Sequence, residues 1–369
     1  MTTVETQYFT LLRAALWGMP LPINMEIDWT AVMQLAEYHN NSALLSDVAA
    51  HMTGDNKPSP ERLGSMQMVM RGNLLHQMRL RQILVSAVQL LRQHSIEPVL
   101  LKGFGLALLY PNPSLRQFGD IDLFVGLEDF HEACTLLRSL PGSYNWGEEV
   151  DSGRHYNIEF GQYPMEIHRV SADVENAKDS AVYVAMEQDG LKEHSQRVCL
   201  DGFEISVPSK EFTVFYTFFH AWHHFLTTGV GWRQLSDVAM ALHAYHNQFD
   251  TDKLHIWIDA MHLLKPWQTF GYLLVNCLGL PETEMPFYNA SCHKRAKRLY
   301  RLIMKEGNFK RERKFKYHRP QHRLWQRIHA FICIFIEFFH SARVFPQQAF
   351  QEMLVSLKLG FEKKSKKID

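Results

Sequence analysis

The chain has 369 residues, enough for one large domain or for two or three ordinary ones. Hydrophobic residues make up 46% and aromatic residues 12% of it, which is ample for a packed core and excludes a wholly disordered chain. The formal net charge is zero, but residues 291–327 hold fourteen Lys or Arg against two Glu, so this block carries +12 and the rest −12. The block indicates either a surface for an anionic partner or a solvated helical face, and the second interpretation is favoured.

Five cysteines are scattered along the chain and include no C-x-x-C pair. This usage favours reduced thiols in a cytoplasmic protein. No basic segment precedes an apolar run at the start of the chain, so we expect no signal peptide. The longest apolar run, residues 330–339, is short and contains Glu337, so we expect no transmembrane segment.

Residues 1–95 have the periodicity of helices. Asp28 is a suitable N-cap for a helix over 29–40. Pro60 stands at the first position of a long amphipathic helix that runs to about His94. Ser95 and the residues up to Pro98 end this helix and lead the chain into a strand.

The most informative stretch is residues 99–125. It predicts a strand over 98–101, a glycine turn at 103–105, a short helix to Tyr110 and a second strand that carries Asp120 and Asp122. Strand residues alternate between faces, so the two aspartates lie on the same face, about 7 Å apart. Two carboxylates in this arrangement form half of a divalent-cation site.

The glycine turn predicts a phosphate site beside these carboxylates. Gly103 and Gly105 precede a helix N-terminus, where backbone N–H groups suit phosphate. The positive charges of Lys102 and Arg116 flank the turn, and we expect both to contact phosphate. A metal site beside a phosphate site is the arrangement needed to move a nucleotidyl group.

A third carboxylate is expected from a later strand. Residues 154–160 and 164–170 alternate and are joined by a Gly161 turn, which predicts a hairpin. Glu166 and His168 share one face of its second strand. We expect Asp120, Asp122 and Glu166 to hold two Mg²⁺ ions, or Mn²⁺ in their place, about 4 Å apart. Glu166 is expected as a metal ligand or as the base for the acceptor, and His168 as a neighbour or a substrate contact.

Residues 206–369 are again mostly helical. His220, His223 and His224 suggest zinc, but H-A-W-H-H is not a zinc motif, so histidines packed on a helix are favoured. Asp237 lies either on a plain helix face or near the acceptor. The apolar helix over 325–339 is expected to be buried against the N-terminal helices, with peripheral membrane contact as the less favoured alternative.

These residues resemble the nucleotidyltransferase superfamily with the DNA polymerase beta-like fold, and more closely its bacterial uncharacterised nucleotidyltransferase family. The matching segments are Leu101-Lys102-Gly103, Tyr110-Pro111, Arg116-Gln-Phe-Gly-Asp-Ile-Asp-Leu123 and Glu166-Ile-His168, with weaker matches at Asp28-Trp29, His220 to His224 and Arg233 to Asp237. The sequence departs from the superfamily pattern at Phe104, so Gly105 is expected to take the second small-residue position.

We therefore expect an α+β fold with a small mixed sheet, divided into an N-terminal helical region (1–95), a nucleotidyltransferase core (96–205) and a C-terminal helical region (206–369). The expected reaction moves a nucleoside monophosphate from an NTP to an acceptor hydroxyl and releases pyrophosphate. The acceptor is a small molecule, a sugar, a protein or an RNA. The alternatives are a glycosyltransferase that uses D-x-D on a nucleotide-sugar, and a non-catalytic nucleotide-binding module of the same fold.

Overall fold

The structure is a computed structural model that describes residues 1–21, 25–144, 155–172, 174, 177–307 and 322–365. The strands are β1 (Val99–Leu100), β2 (Ile121–Phe124), β3 (Ser143–Tyr144), β4 (His155–Phe160), β5 (Tyr163–His168), β6 (Gln196–Leu200) and β7 (Phe203–Val207). The helices are α1 (Thr3–Trp17), α2 (Trp29–Tyr38), α3 (Ser42–His51), α4 (Pro60–Gln93), α5 (Phe104–Ala107), α6 (Gly126–Arg138), α7 (Ala177–Glu187), α8 (Lys210–Leu226), α9 (Trp232–Ala244), α10 (Thr251–Ala260), α11 (Leu264–Leu273), α12 (His293–Glu306), α13 (Arg323–Ala342) and α14 (Pro346–Ser365).

The seven strands form one mixed sheet in the order β3-β4-β5-β2-β1-β7-β6. Strands β2 and β5 are parallel, as are β1 and β7, while the other neighbouring pairs are antiparallel. The sheet and its flanking helices confirm the predicted α+β class. The predicted β4–β5 hairpin is also present in the described residues, and it places β5 directly beside the strand that follows Asp120.

Local signals at the start of the chain fix the helix boundaries as predicted. The Asp28 carboxylate accepts a hydrogen bond from the Ala31 backbone N–H (3.0 Å) and caps α2. The long helix α4 begins at Pro60, with Ser59 as its N-cap. Its C-terminal half packs on the sheet through Leu80, Leu84 and Leu91, which are fully buried.

The described residues form two hydrophobic cores. One lies around the sheet and includes side chains of α4 and α6. The other joins helices α1–α3 to the helices that follow residue 209, so the two ends of the helical part of the chain pack together. The three regions expected from the sequence therefore interleave in space, and their boundaries stay a prediction.

Two features differ from what the sequence suggested. Strands β6 and β7 form a hairpin that was not predicted, joined at Asp201 and Gly202, whose φ angles are 47° and 85°. The expected burial of residues 325–339 is wrong, because Trp325 is 59% and Phe339 61% exposed. Part of the basic block, residues 308–321, lies outside the described residues. Within the described ranges, no helix combines the length and hydropathy needed to cross a bilayer.

Candidate active site

The sheet register brings Asp122 and Glu166 side by side. Strands β2 and β5 are parallel neighbours, with Asp122 opposite Glu166 and Ile121 opposite Met165. Ile121 and Met165 are buried in the sheet core, so Asp122 and Glu166 share the other face. Asp120, two residues before Asp122, projects to that face as well. The structure thus brings together the three carboxylates singled out in the sequence.

A lysine balances this negative charge. The Asp122 side chain is fully buried, whereas 41% of the Asp120 side chain is exposed. Lys102, just after β1, places Nζ 3.0 Å from Asp122 Oδ1 and 3.9 Å from Asp120 Oδ2. Burial by itself lowers the pKa of Lys102, but the charges of Asp122, Asp120 and Glu166 outweigh it and raise that pKa. Lys102 is therefore a cation held between carboxylates.

His168 connects the carboxylates of the two strands. Its Nε2 lies 3.1 Å from Asp122 Oδ1 and 3.4 Å from Glu166 Oε2. Because an ionised carboxylate only accepts hydrogen bonds, Nε2 carries the proton. Burial raises the pKa of Glu166, but the hydrogen bond from His168 and the charge of Lys102 outweigh it and lower that pKa to about 2. Glu166 is thus an anion and a weak base, which favours a ligand role over a general-base role.

The donor set has the chemistry of a divalent-cation site, although Lys102 and His168 lie against the Asp122 carboxylate and the oxygens of Asp120, Asp122 and Glu166 do not all come within 4.8 Å of one another. Asp122 Oδ2 is buried without a hydrogen-bond partner among the described residues, and a buried polar atom of this kind calls for a ligand. Carboxylate oxygens are the ligands that Mg²⁺ prefers, and Asp120, Asp122 and Glu166 would hold it. Glu166 also belongs to a second set: its carboxylate and the rings of His155 and His168 offer atoms within 4.8 Å of one another. Two imidazoles and a carboxylate suit Mn²⁺ or Zn²⁺ better than Mg²⁺.

The glycine turn has a conformation that requires glycine at one position. Gly103 has φ 63° and ψ −114°, and a Cβ there would lie 3.4 Å from the Phe118 ring. Gly103 lines the cavity, whereas Gly105 packs on β7, where an added Cβ would meet Val207 Cγ1 at 3.2 Å. The Phe104 side chain is buried in the sheet core, edge-on to Phe118 with ring centroids 4.8 Å apart. Phe104 therefore leaves the cavity side of the turn clear.

Arg116 lies in the cavity wall and is already paired. Its Nε and Nη2 donate to the two Asp237 carboxylate oxygens at 2.6 and 2.9 Å, and its Nη1 donates to the Gly103 carbonyl at 3.0 Å. The Tyr110 hydroxyl donates to the same carboxylate at 2.7 Å. Burial raises the pKa of Asp237, but Arg116 outweighs it and lowers that pKa. Arg116 thus ties the glycine turn to α9, and its contact with phosphate stays a prediction.

Helices α8 and α9 form the wall opposite the carboxylates. A cavity of about 380 Å³ separates the two, within the range of about 300–1,000 Å³ typical of small-molecule sites. His220, His223 and His224 line it, together with Thr228. Burial lowers the pKa of His224 to about 3 and that of His220 well below its usual value, so both rings are neutral donors and acceptors. The sequence signal for this wall is the spacing of three polar rings on one side of an aromatic helix.

One comparison with known proteins assigns the chain to a family. A family model described as "Uncharacterised nucleotidyltransferase" matches residues 25–279. The match spans α2 to the end of α11 and includes both walls of the cavity. Neither the curated proteins nor the solved structures yield a match to the chain. With more than half of its length matched, the chain belongs to the uncharacterised nucleotidyltransferase family.

Proposed function

We propose that the protein transfers a nucleoside monophosphate from an NTP to an acceptor hydroxyl and releases pyrophosphate, with Mg²⁺ held by Asp120, Asp122 and Glu166. The observation that carries this proposal is the pairing of Asp122 with Glu166 on parallel strands, with Asp122 Oδ2 buried and lacking a hydrogen-bond partner among the described residues, beside a cavity that Asp120 and Glu166 line. Family membership supports the same class of reaction.

The chemistry assigns a role to each group. The acceptor hydroxyl gives up its proton to solvent as its oxygen forms a bond to the α-phosphorus, the bond from that phosphorus to the bridging oxygen breaks, and pyrophosphate leaves. When bound, Mg²⁺ supplies positive charge to the attacking and leaving oxygens. Lys102, which lines the cavity together with Gly103, would place a positive charge beside the leaving phosphates. His168 positions Asp122 and Glu166 through Nε2.

The mixed sheet favours this reaction over glycosyl transfer. A D-x-D glycosyltransferase needs a larger parallel sheet ahead of its D-x-D segment. Within the described part of the chain, helices precede the sheet, and only β1–β7 and β2–β5 are parallel pairs. The intact set of three carboxylates likewise favours an enzyme over a non-catalytic nucleotide-binding module.

Asp120→Asn is the sharpest test of the metal site. Asp122 also holds Lys102 and His168, so its replacement disturbs a buried network, whereas Asp120 is partly exposed. With Mg²⁺, each α-phosphate-labelled NTP and a cell extract, we expect labelled product from the unaltered protein and a loss of more than about 100-fold in Asp120→Asn. Thermal unfolding should remain nearly unchanged.

Asp259→Asn, an exposed aspartate on α10, is the matched control and should keep full activity. A parallel reaction with sugar-labelled nucleotide-sugars separates glycosyl transfer from nucleotidyl transfer. Transfer of the sugar label, or full activity of Asp120→Asn, would overturn the proposal. The proposal would also be overturned if no product is labelled and calorimetry detects no Mg²⁺-dependent binding of a non-hydrolysable NTP.

A further inference from the structure

Helices α13 and α14 form a hairpin that is anchored at its turn. Val344, Phe345 and Ala349 are at most 3% exposed, and the Phe345 ring lies 4.7 Å from the Trp222 ring of α8, edge-on. The helices also touch each other through Phe338 and Phe350, whose ring centroids are 6.4 Å apart. The turn is therefore part of the helical core, while the helices extend away from it.

The hairpin carries a concentrated exposed apolar surface. Seven of the seventeen large apolar side chains that are exposed in the described residues lie between positions 325 and 354. They include every Phe and Trp that is exposed in the described ranges. They are Trp325 (59%), Ile328 (39%), Phe331 (49%), Ile332 (40%), Phe339 (61%), Phe350 (50%) and Leu354 (50%). An exposed apolar area of this kind marks an interaction site in a folded protein.

The exposed residues of α13 follow helical spacing. Trp325, Ile328, Ile332 and Phe339 are separated by three, four and seven residues, so they form one stripe along the helix. Phe335, half-buried, continues this stripe, with its ring 4.8 Å from that of Phe331. The stripe thus presents aromatic and branched aliphatic groups along most of one helix face.

A basic helix ends beside this hairpin. Helix α12 buries Ala296, Leu299 and Ile303, and its solvent side is basic. The exposed basic residues are Lys294, Lys297, Arg298, Arg301 and Lys305. At the end of α12, Glu306 Oε1 lies 2.8 Å from His340 Nδ1 of α13. The basic helix α12 therefore meets the hairpin at the His340 end of α13.

We propose that the α13–α14 hairpin docks on an anionic lipid surface, with the α13 stripe in the interface and the basic side of α12 facing lipid phosphates. Tryptophan and phenylalanine on one face, combined with Lys and Arg, are the chemistry by which a helix lies in a membrane interface. A second copy of this chain would bring the basic surfaces together. An RNA would leave the apolar stripe in water.

Co-sedimentation of the full chain with vesicles tests this proposal. We expect binding to phosphatidylglycerol-containing vesicles, weaker binding to pure phosphatidylcholine and a decrease with added salt. Phe331→Asp/Ile332→Asp should lower the partition coefficient by about tenfold or more. Lys297→Glu/Arg298→Glu/Arg301→Glu should remove the preference for anionic vesicles. Leu74→Asp/Leu75→Asp, an equally exposed pair on α4, should bind as the unaltered protein does.

Circular dichroism of each variant establishes that it is folded, as expected for substitutions of exposed residues. Unchanged vesicle binding by folded Phe331→Asp/Ile332→Asp would overturn the proposal. Absence of vesicle binding at low salt would also overturn it. In that case light scattering that shows a dimer broken by the same pair would assign the stripe to a second copy. RNA binding that is insensitive to the pair would instead assign the basic surface to nucleic acid.

Discussion

At the scale of single residues, Lys102 lies where it can balance the charge of the carboxylates or compete with a metal ion for them. Its Nζ, 3.0 Å from Asp122 Oδ1, balances the carboxylates that we propose as metal ligands. A divalent cation at Asp122 and this ammonium repel each other, because both are positive and share one carboxylate. We therefore expect a metal ion on Asp122 Oδ2 to weaken the contact of Lys102 with Oδ1, and Lys102 also lines the cavity in which we propose that the NTP phosphates lie.

Lys102→Met separates the two functions. Without nucleotide, we expect tighter Mg²⁺ binding, by roughly 3–10-fold, because the competing cation is gone. Affinity for the Mg²⁺–NTP complex should decrease, because the phosphates lose a positive partner. Titration calorimetry measures both affinities, with Lys294→Met on α12 as the control. Weaker Mg²⁺ binding in Lys102→Met would show that the lysine supports the metal site instead of competing with it.

His39 makes stability depend on pH. It is fully buried at the end of α2, and both ring nitrogens lack hydrogen-bond partners in the part of the chain that the structure describes. Burial lowers its pKa to about 3. The unfolded chain binds a proton near pH 6.5, so this stability is present above that pH and is lost as the pH falls toward 3. The loss at pH 5 is about 2 kcal/mol.

In His39→Phe this loss should disappear. Urea unfolding at pH 7.5 and pH 5 measures the difference in free energy of unfolding between the variant and the unaltered protein. From the higher to the lower pH, we expect this difference to shift by about 2 kcal/mol in favour of the variant. His51→Phe, at a ring with 79% side-chain exposure, should show no such change. Equal pH dependence of His39→Phe and the unaltered protein would mean that His39 is protonated in the fold.

At the scale of elements, short sequence signals predicted those helices and strands whose formation depends on neighbouring residues. The cap at Asp28, the proline at position 60 and the alternation around Glu166 predicted the right elements, because each depends on a few neighbouring residues. The Asp201-Gly202 turn is an equally local hairpin signal that was overlooked, and β6 and β7 follow from it. The prediction that α13 is buried was wrong for another reason. Apolar residues indicate that a helix face favours contact with other apolar groups, but they do not show which groups cover it.

The contact between Arg116 and Asp237 joins α9 to the glycine turn, and it gives a prediction for this pair of elements. Asp237→Leu should lower the free energy of unfolding by about 3–5 kcal/mol, because it leaves the Arg116 guanidinium buried without a counter-charge. Arg116→Met/Asp237→Leu should lower it less than Asp237→Leu alone, since neither charge remains. Urea unfolding compares them. If the double variant loses more than Asp237→Leu alone, the two residues do not stabilise each other through their charges.

At the scale of the whole molecule, the cavity is a product of long-range packing. Its floor comes from strands near residues 120 and 166, and its opposite wall from helices beyond residue 209. The carboxylate floor was predictable because Asp120, Asp122 and Glu166 have a chemical pattern and a strand parity. The histidine wall was not, because nothing near His220 in the sequence shows that α8 faces the carboxylates. Helices α1–α3 share a core with α8 and α9, so they contribute to the position of that wall.

Arg13 tests whether the N-terminal helices and the helices that follow residue 209 fold as one unit. Its Nε and Nη2 donate to the carbonyls of Cys277 and Asn276 at 2.8 and 2.6 Å, where the turn after α11 ends. Arg13→Met should lower the free energy of unfolding by about 1–3 kcal/mol, because carbonyls at a helix end lose a charged donor. Arg71→Met, exposed on α4, should leave it unchanged. Circular dichroism and tryptophan fluorescence should still report one coincident transition in urea. If Arg13→Met splits it into two, the N-terminal helices unfold independently of the cavity wall.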